Sequence, residues 1–307
     1  MAQNTVPLYG LQIIPTRAKT VVTINDFPFA QTSHLEDTTS SGRINRFLKR
    51  GENVIRIEID DSVMTQPVDE NEAAQYLRVE LQRRENLDEQ TVPERLFRVE
   101  RQIDMGDKDE EITMEFLTVS TGEGDREYKG PLAQRSELVV NLETHSIDYS
   151  QVPPPAPSVV EIRFTLADFP LLELPWQQGS GTPDAIQLES IQDKVANIYA
   201  AYKARNANAV VTHFQNKLQR MSIAQGIPTT ELGGYLHESY VQILFTISGL
   251  EFSSFSAESV GVESYPNLNL VRAVVDGGAP IRASGDGWEF NLNLYFSQVG
   301  GEWVLVE

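Results

Sequence analysis

The stretch WEFNLNLYFSQVGGEWVLV, residues 288–306, decides the fold of the last part of this chain. Apolar side chains occupy every second position, at Trp288, Phe290, Leu292, Leu294 and Phe296. The positions between them carry Glu289, Asn291, Asn293, Tyr295 and Ser297. This period of two predicts a strand with one buried face, and the QVGG sequence predicts a turn into a second antiparallel strand. We therefore expect an antiparallel sheet that packs its apolar face against helices.

Helices are expected upstream of this sheet. The segment GSGTPDA, residues 179–185, combines a flexible link with a helix start, because Thr182 can cap, Pro183 fits the first helical position and Asp184 suits the positive end of the helix dipole. A first helix of about twenty residues follows from an apolar stripe at three- and four-residue intervals. The stripe consists of Leu188, Ile191, Val195, Ile198, Tyr199 and Tyr202.

Two further helices complete the predicted helical part. A short second helix carries Val210, Val211, Phe214 and Leu218. A third begins at Pro228 and Thr229 and presents Leu232, Leu236, Tyr240 and Ile243. Residues 179–307 are therefore predicted to form an α+β domain with three helices and a curved antiparallel sheet.

This order of elements resembles the nuclear-transport-factor-2-like (ketosteroid-isomerase-like) α+β cone. IYAAYKARNANAVVTHF at 198–214 is similar to the family's first-helix segment, and FNLNLYFSQVGGEWVLV at 290–306 is similar to its closing hairpin. The matching positions are Tyr199, Ala200, Ala201, Asn206, Asn208, Val210, Val211, Phe214, Phe296, Gly300, Gly301, Trp303, Val304 and Leu305. The resemblance spans residues 183–307 and implies a cone that either encloses a pocket or pairs with another cone.

Residues 1–178 are predicted to form an all-β sandwich. The sequence NVIRIEID from Asn53 alternates Ile55, Ile57 and Ile59 with charged residues, and the same alternation recurs near residues 77–81, 112–116 and 160–166. Repeated period-two patterns without helical periodicity favour an antiparallel sandwich.

Part of this region resembles galactose-binding-like jelly rolls. The segments VVTINDFPF at 21–29 and GRINRFLKRGENVIRIEI at 42–59 carry the similarity, through Leu48, Gly51, Asn53 and Ile55. Gly51 and Asn53 suit a tight turn with positive φ before a strand. The resemblance therefore implies a jelly-roll fold and not sugar binding.

Composition restricts the functional classes. The formal charge of −19, spread over both halves of the chain, makes nucleic acid an improbable partner, because phosphate binding needs clustered Lys and Arg. No apolar run reaches the length of a membrane helix, and MAQNTVPLYG lacks the regions of a signal peptide. The chain contains no cysteine, which fits a reducing cytoplasm and a periplasm alike. We expect a soluble, cytoplasmic protein, and a periplasmic or secreted one stays open.

Catalytic and metal-binding motifs are weak. Isomerases of the cone family use a first-helix tyrosine, which Tyr199 matches, together with an aspartate after the second helix, where this chain has no Asp. His213 and His237 lie on predicted helices, and His34 and His145 in loops, without an evident acidic partner. The acidic loops at 104–111 and 122–127 do not match a calcium-binding loop. We expect no cofactor and no metal, and calcium binding by the carboxylates of these acidic loops stays open.

Three functional hypotheses remain. The first is a non-enzymatic binding or assembly protein that recognises a basic or polar protein partner, or self-associates through the C-terminal sheet, with a small ligand in the cone also possible. Its candidate residues are Tyr199, His213, Glu289, Asn291, Asn293 and Tyr295. The second is an isomerase or dehydratase that pairs Tyr199 with Asp276 or His213. The third is a carbohydrate-associated accessory protein, which needs exposed aromatic side chains.

Overall fold

The chain divides into two compact units, Met1–Leu172 and Glu173–Glu307. The computed structural model describes residues 6–16, 19–32, 40–60, 76–84, 93–104, 114–121, 124–130, 136–144, 146–151, 158–179 and 181–307. The described part is rich in β-structure, with helices confined almost entirely to the second unit. None of these helices combines the length and apolar character that crossing a bilayer requires.

The unit boundary lies earlier than the predicted one at 178/179, because residues 173–178 are bound to the second unit. The backbone N–H of Asn269 donates to the carbonyl oxygen of Trp176 at 3.0 Å, and the Asn269 side-chain amide donates to the carbonyl oxygen of Pro175 at 3.2 Å. The guanidinium of Arg220 lies 4.5 Å from the centre of the Trp176 ring. Gly179 and Gly181 therefore lie inside the second unit.

The described residues of the first unit form two six-stranded sheets. One sheet has the order β4-β1-β6-β7-β8-β9, and the other has the order β11-β10-β12-β5-β2-β3. The strands are β1 (Leu8–Thr16), β2 (Lys19–Ile24), β3 (Phe27–Thr32), β4 (Ser40–Arg43), β5 (Gly51–Asp60), β6 (Tyr76–Arg84), β7 (Glu94–Asp104), β8 (Met114–Thr121), β9 (Gly124–Gly130), β10 (Ser136–Asn141), β11 (Ser146–Gln151) and β12 (Ser158–Leu166). The expectation of purely antiparallel pairing is wrong at one place, because β10 and β12 pair in parallel.

The alternating sequences place their apolar residues in the interior of this unit. In β5, Ile55, Ile57 and Ile59 are buried, and Ile162 of β12 lies opposite Ile55 and is buried as well. β11 follows β10 in a hairpin and pairs with one side of it. β12, the next strand in the chain, pairs with the other side of β10 and runs parallel to it.

The turn motif around Gly51 and Asn53 is structural. Gly51 has a φ of 92°, as expected, whereas the role of Asn53 rests on its side chain and not on a positive φ. The buried side-chain oxygen Oδ1 of Asn53 accepts from the backbone N–H of Lys49 at 2.9 Å and from the side-chain amide of Asn25 at 2.9 Å. Asn25 and Asp26 both have positive φ values, at 48° and 68°, in the turn between β2 and β3. Asn25 and Asn53 thus connect two neighbouring turns.

The second unit begins with helices. They are α1 (Ala185–Lys203), α2 (Ala207–His213), α3 (Gln215–Gln225), α4 (Thr229–Leu236), a π-helical segment (His237–Val241) and α5 (Gln242–Thr246). Asp184, and not Thr182, is the N-cap of α1, because its side chain and that of Gln187 form a reciprocal capping box. Phe214 separates α2 from α3, so two helices stand where one was predicted.

The π-helical segment changes which residues of the third predicted helix are buried. Leu232 is buried, Leu236 is partly buried, and the next buried residue is Val241, five positions after Leu236. A π turn adds one residue to the helical repeat and rotates the following side chains away from the stripe. Tyr240 and Ile243, predicted to lie on the buried stripe, are therefore 60% and 58% exposed.

The strands of the second unit form two sheets. They are β13 (Glu251–Phe252), β14 (Gly261–Ser264), β15 (Val271–Val274), β16 (Ile281–Gly285), β17 (Trp288–Leu292), β18 (Leu294–Val299) and β19 (Glu302–Leu305). The sheet orders are β13-β16-β17 and β14-β15-β18-β19. The long strand expected at 288–297 is therefore interrupted at Asn293, and its two parts belong to different sheets.

The core of this unit packs α1 against the two sheets. It combines side chains of α1 (Ile191, Val195, Ile198, Tyr202) with side chains of the strands (Val271, Ile281, Leu294, Phe296, Trp303, Leu305). Two predicted orientations in the 288–297 segment are wrong. Trp288 is 67% exposed, because it lies at the end of an edge strand, and Ser297, expected on the polar face, is fully buried.

Candidate functional site

Tyr199, the candidate tyrosine of α1, lies in the core with its hydroxyl group engaged. The hydroxyl donates a hydrogen bond to the backbone carbonyl oxygen of Ser253 at 2.9 Å. Its ring stacks on Phe255, with the ring centres 4.6 Å apart, and meets Phe252 edge to face. This geometry gives the tyrosine a structural contact, because the proton that an oxyanion would need is already donated.

Tyr202, one turn further along α1, received no functional role from the sequence. Its ring packs among Phe245, Phe252 and Phe290, with the ring centres between 5.6 and 6.2 Å away. Burial raises the pKa of its hydroxyl above the ordinary tyrosine value. Within the described part of the chain this hydroxyl forms no hydrogen bond. The three-residue spacing from Tyr199 is the sequence feature that could have identified Tyr202 as a second core tyrosine of the same helix.

His213 and Asp276, the proposed bases, lie on different elements from the two tyrosines of α1. His213 is the last residue of α2, and partial burial lowers the pKa of its imidazole. Asp276 is exposed, in a left-handed conformation with φ 52°, in the turn that joins β15 to β16. Neither residue forms an ion pair with another described residue. The described residues also contain no group of three or more acidic or histidine side chains that could hold a metal ion.

The predicted polar row is divided by the interruption at Asn293. Glu289 and Asn291 are exposed on β17, and Asn293 is exposed between the two strands. Tyr295, on β18, is half-buried and lies beside Tyr265, with the ring centres 6.2 Å apart. Burial, together with the neighbouring Tyr265, raises the pKa of the Tyr295 hydroxyl.

The outer face of the four-stranded sheet is occupied by its own side chains around Tyr295. Arg272 of β15 lies opposite Tyr295, and Glu263 of β14 lies opposite Arg272. The Arg272 guanidinium donates to one carboxylate oxygen of Glu263 at 2.7 Å. At the Tyr295 end of the polar row, the polar side chains therefore interact with one another within the same sheet.

The β17 end of the row differs, because β17 is the edge of its sheet. Asp286 and Gly287, both with positive φ, form a two-residue turn in which Gly285 pairs with Trp288. In such a hairpin the peptide groups of every second residue face the partner strand, so those of Glu289 and Asn291 point away from β16. The opposite strand confirms this alternation: the carbonyl oxygen of Arg282, paired with Asn291, faces β13 and accepts from the N–H of Ser253 at 2.9 Å.

Several predicted features lie wholly or partly outside the described residues. His34 and His145 are outside, as are residues 105–111 of the first acidic loop and residues 122–123 of the second. Most of the proline-rich segment 151–158 is outside as well. His237 begins the π-helical segment and is half-buried.

Comparison of the chain with models of protein families, with curated proteins and with solved structures finds no significant match. The function of this chain is therefore inferred from its own residues and geometry.

Proposed function

We propose that this protein is a non-enzymatic binding or assembly protein whose C-terminal unit recognises a protein partner by adding a strand to the β17 edge. One observation carries the proposal. The N–H and C=O groups of Glu289 and Asn291 point away from β16, and no strand of the described chain pairs with that side of β17. An exposed strand edge is a template for an extended segment of another chain.

The side chains of the edge favour this role. Natural edge strands are often protected by shortness, charged side chains, proline or a bulge; β17 has five residues, no proline and no lysine, and Glu289 is its single charge. Trp288, at its start, exposes two thirds of its side chain. Tryptophan is among the residues that contribute most to protein interfaces. The edge thus combines backbone hydrogen-bonding groups with an aromatic contact residue.

Charge indicates the chemistry of the partner. Glu289 lies on the edge itself, and the whole chain carries a formal charge of −19. A basic or polar extended segment would be attracted to this surface, whereas an acidic one would be repelled. Pairing between two copies would bring two acidic units together, so we favour a different protein over self-association.

The fold assignments belong to the same proposal. The second unit, with helices first and an antiparallel meander last, is consistent with a nuclear-transport-factor-2-like cone. The first unit, with two six-stranded sheets that bury alternate residues, is consistent with a jelly-roll-like sandwich. Both are scaffolds on which unrelated proteins carry binding surfaces.

The other two hypotheses have less support. An isomerase would require Tyr199 to release the Ser253 carbonyl before it could donate to a substrate. A carbohydrate-associated role for the first unit needs an exposed aromatic side chain, and the aromatic side chains described in that unit are buried or partly buried. The isomerase hypothesis therefore lacks a free Tyr199 hydroxyl, and the aromatic side chains of the first unit whose burial is described offer no exposed platform for a sugar.

The test replaces Asn291 by proline. Proline removes an N–H that β17 does not use toward β16, so the internal ladder is retained while an added strand loses a hydrogen bond and meets the proline ring. Wild-type protein and Asn291→Pro are used to capture partners from an extract of the native host. We expect a partner that wild type retains and Asn291→Pro loses. In its complex with wild type, hydrogen exchange at the amides of Glu289 and Asn291 should slow down.

Glu258→Gln, an exposed change in the same unit, is the matched control and should retain the partner. Thermal unfolding establishes that both variants are folded. Retention of the partner by Asn291→Pro at the wild-type level would refute the proposed edge. Light scattering tests for self-association. A wild-type dimer that becomes a monomer in Asn291→Pro would show that a second copy of the chain binds the edge.

A further inference from the structure

A groove on the first unit is lined by positively charged side chains, although the chain as a whole is acidic. It has a volume of about 590 Å³ and lies over β4, β1 and β6. Its lining includes Arg43 and Arg84 and contains no acidic residue. The chain as a whole has 44 acidic and 25 basic residues. A lining whose only charged side chains are arginines favours an anionic ligand.

The register of the three strands explains why a groove forms here. Gly10 of β1 lies between Arg43 of β4 and Gln82 of β6. A methyl group at Gly10 would meet only the carbonyl oxygen of Gly42, at 3.9 Å, so the space above it is open. The absent side chain leaves a floor of backbone between two long polar side chains.

The two arginines lie on the same face of the sheet. Arg84 lies opposite Leu8, two positions along β1 from Gly10. Adjacent strands are roughly 4.8 Å apart and alternate residues about 6.7 Å apart, which places the Cα atoms of Arg43 and Arg84 about 12 Å from each other. Two arginine side chains on this spacing can reach one ligand from opposite sides.

Neither guanidinium is used elsewhere in the described structure. Arg78 and Arg98, on the same face, form ion pairs with Glu100 and Glu80, at 2.7 and 2.9 Å. Arg43 and Arg84 have no such partner among the described residues, and Arg43 is exposed. Glu80 and Glu100 on this sheet face are thus paired with other arginines, while the two arginines in the groove retain their hydrogen-bonding capacity.

The remaining lining fits a small organic molecule. Ser41 and Gln12 face each other across β4 and β1 and supply polar groups, and Leu8 and Pro93 supply apolar contact. The volume lies within the range of about 300–1,000 Å³ that is typical of small-molecule sites. Arginine forks match the two oxygens of a carboxylate or a phosphate.

We propose that the groove over Gly10 binds a small organic anion that carries carboxylate or phosphate groups, held between Arg43 and Arg84. This site is separate from the β17 edge and does not depend on the function proposed there. Salt should weaken the binding, because the arginines are partly open to solvent.

The test measures the binding of citrate and of pyrophosphate to the full chain by isothermal titration calorimetry, with glycerol as the uncharged probe. We expect saturable one-to-one binding of at least one anion and none of glycerol. The stronger anion identifies the ligand class as carboxylate or phosphate. Arg43→Gln and Arg84→Gln should each weaken binding by at least about ten-fold, as the loss of a charged hydrogen bond does.

Two further variants keep the result interpretable. Gly10→Val fills the groove without a change in charge and should abolish binding, whereas Arg163→Gln removes an exposed arginine from the other sheet and should leave binding unchanged. Thermal unfolding identifies any variant that fails to fold. Absence of saturable binding of both anions to the wild type would overturn the proposal. Equal weakening by Arg43→Gln and Arg163→Gln would overturn it too, since binding would then follow net charge alone.

Discussion

The two halves of the segment 288–299 share one alternating sequence pattern and differ in their surroundings. β17 pairs with β16 alone, whereas β18 lies between β15 and β19. Trp288 of β17 is largely exposed, and Phe296 of β18 is completely buried. Alternation predicts which side of a strand a residue faces. It does not predict how many neighbouring strands or helices cover that side.

The outer sides of the two halves differ in the same way. On β18, Tyr295 is half-buried beside Tyr265, and Ser297 is fully buried. On β17, Glu289 and Asn291 are exposed. The outer side of β18 is therefore covered within the unit, while the outer side chains of β17 are exposed.

The largest expected effect compares the same truncation in the two halves. Phe296→Ala leaves a cavity in the core and should lower the free energy of unfolding by about 3–5 kcal/mol. Trp288→Ala removes an exposed side chain and should change it by less than about 0.5 kcal/mol. Chemical denaturation of both variants measures the difference. Similar losses in the two variants would show that Trp288 is covered in solution, and the contrast between the halves would then be wrong.

A smaller effect is expected at Gly285, where the hairpin that presents β17 crosses the chain near Leu250. A methyl group at Gly285 would lie 2.8 Å from backbone atoms of Gly249 and Leu250, which cannot rotate away. Gly285→Ala should therefore destabilise the protein by about 1–3 kcal/mol, the usual cost of overpacking.

The matched control for this change is Gly234→Ala. Gly234 lies in α4, and a methyl group added there would enter open space, so alanine should stabilise the protein by about 0.5–1 kcal/mol through helix propensity. Both changes are measured by denaturant unfolding. An unchanged stability in Gly285→Ala would mean that the hairpin can move away from Leu250.

Local patterns in the sequence predicted much of the secondary structure. The stripe of α1 and the alternation in β5 correspond to observed elements, because each depends on residues close in sequence. No local sequence pattern indicated the π-helical segment, which places Tyr240 and Ile243 on the surface. The parallel pairing of β10 with β12 depends on the path of the chain, which alternation does not encode.

The candidate sites were less predictable, because each depends on which strands become neighbours. Glu289 and Asn291 were identified as a polar row, but only the register with β16 shows that their peptide groups form a free edge. The groove was not predicted, since Gly10, Arg43 and Arg84 come together only through the pairing of β1 with β4 and β6. An isolated glycine in the alternating strand LYGLQIIPT was the available signal.

The smallest expected effect is a change in stability at alkaline pH, and it concerns Tyr295 of β18. The folded-state pKa of Tyr295 is raised, so the unfolded chain ionises first, near the ordinary value of about 10. The resulting stability is fully present below that pH and is lost as the pH rises toward the folded-state pKa. Tyr295→Phe should cost about 1 kcal/mol or less at pH 8, through its contact with Tyr265. Between pH 10 and 11 it should lose less stability than the wild type, as denaturation at each pH would show. Parallel pH profiles for the two proteins would mean that Tyr295 is as solvated as the residues of β17.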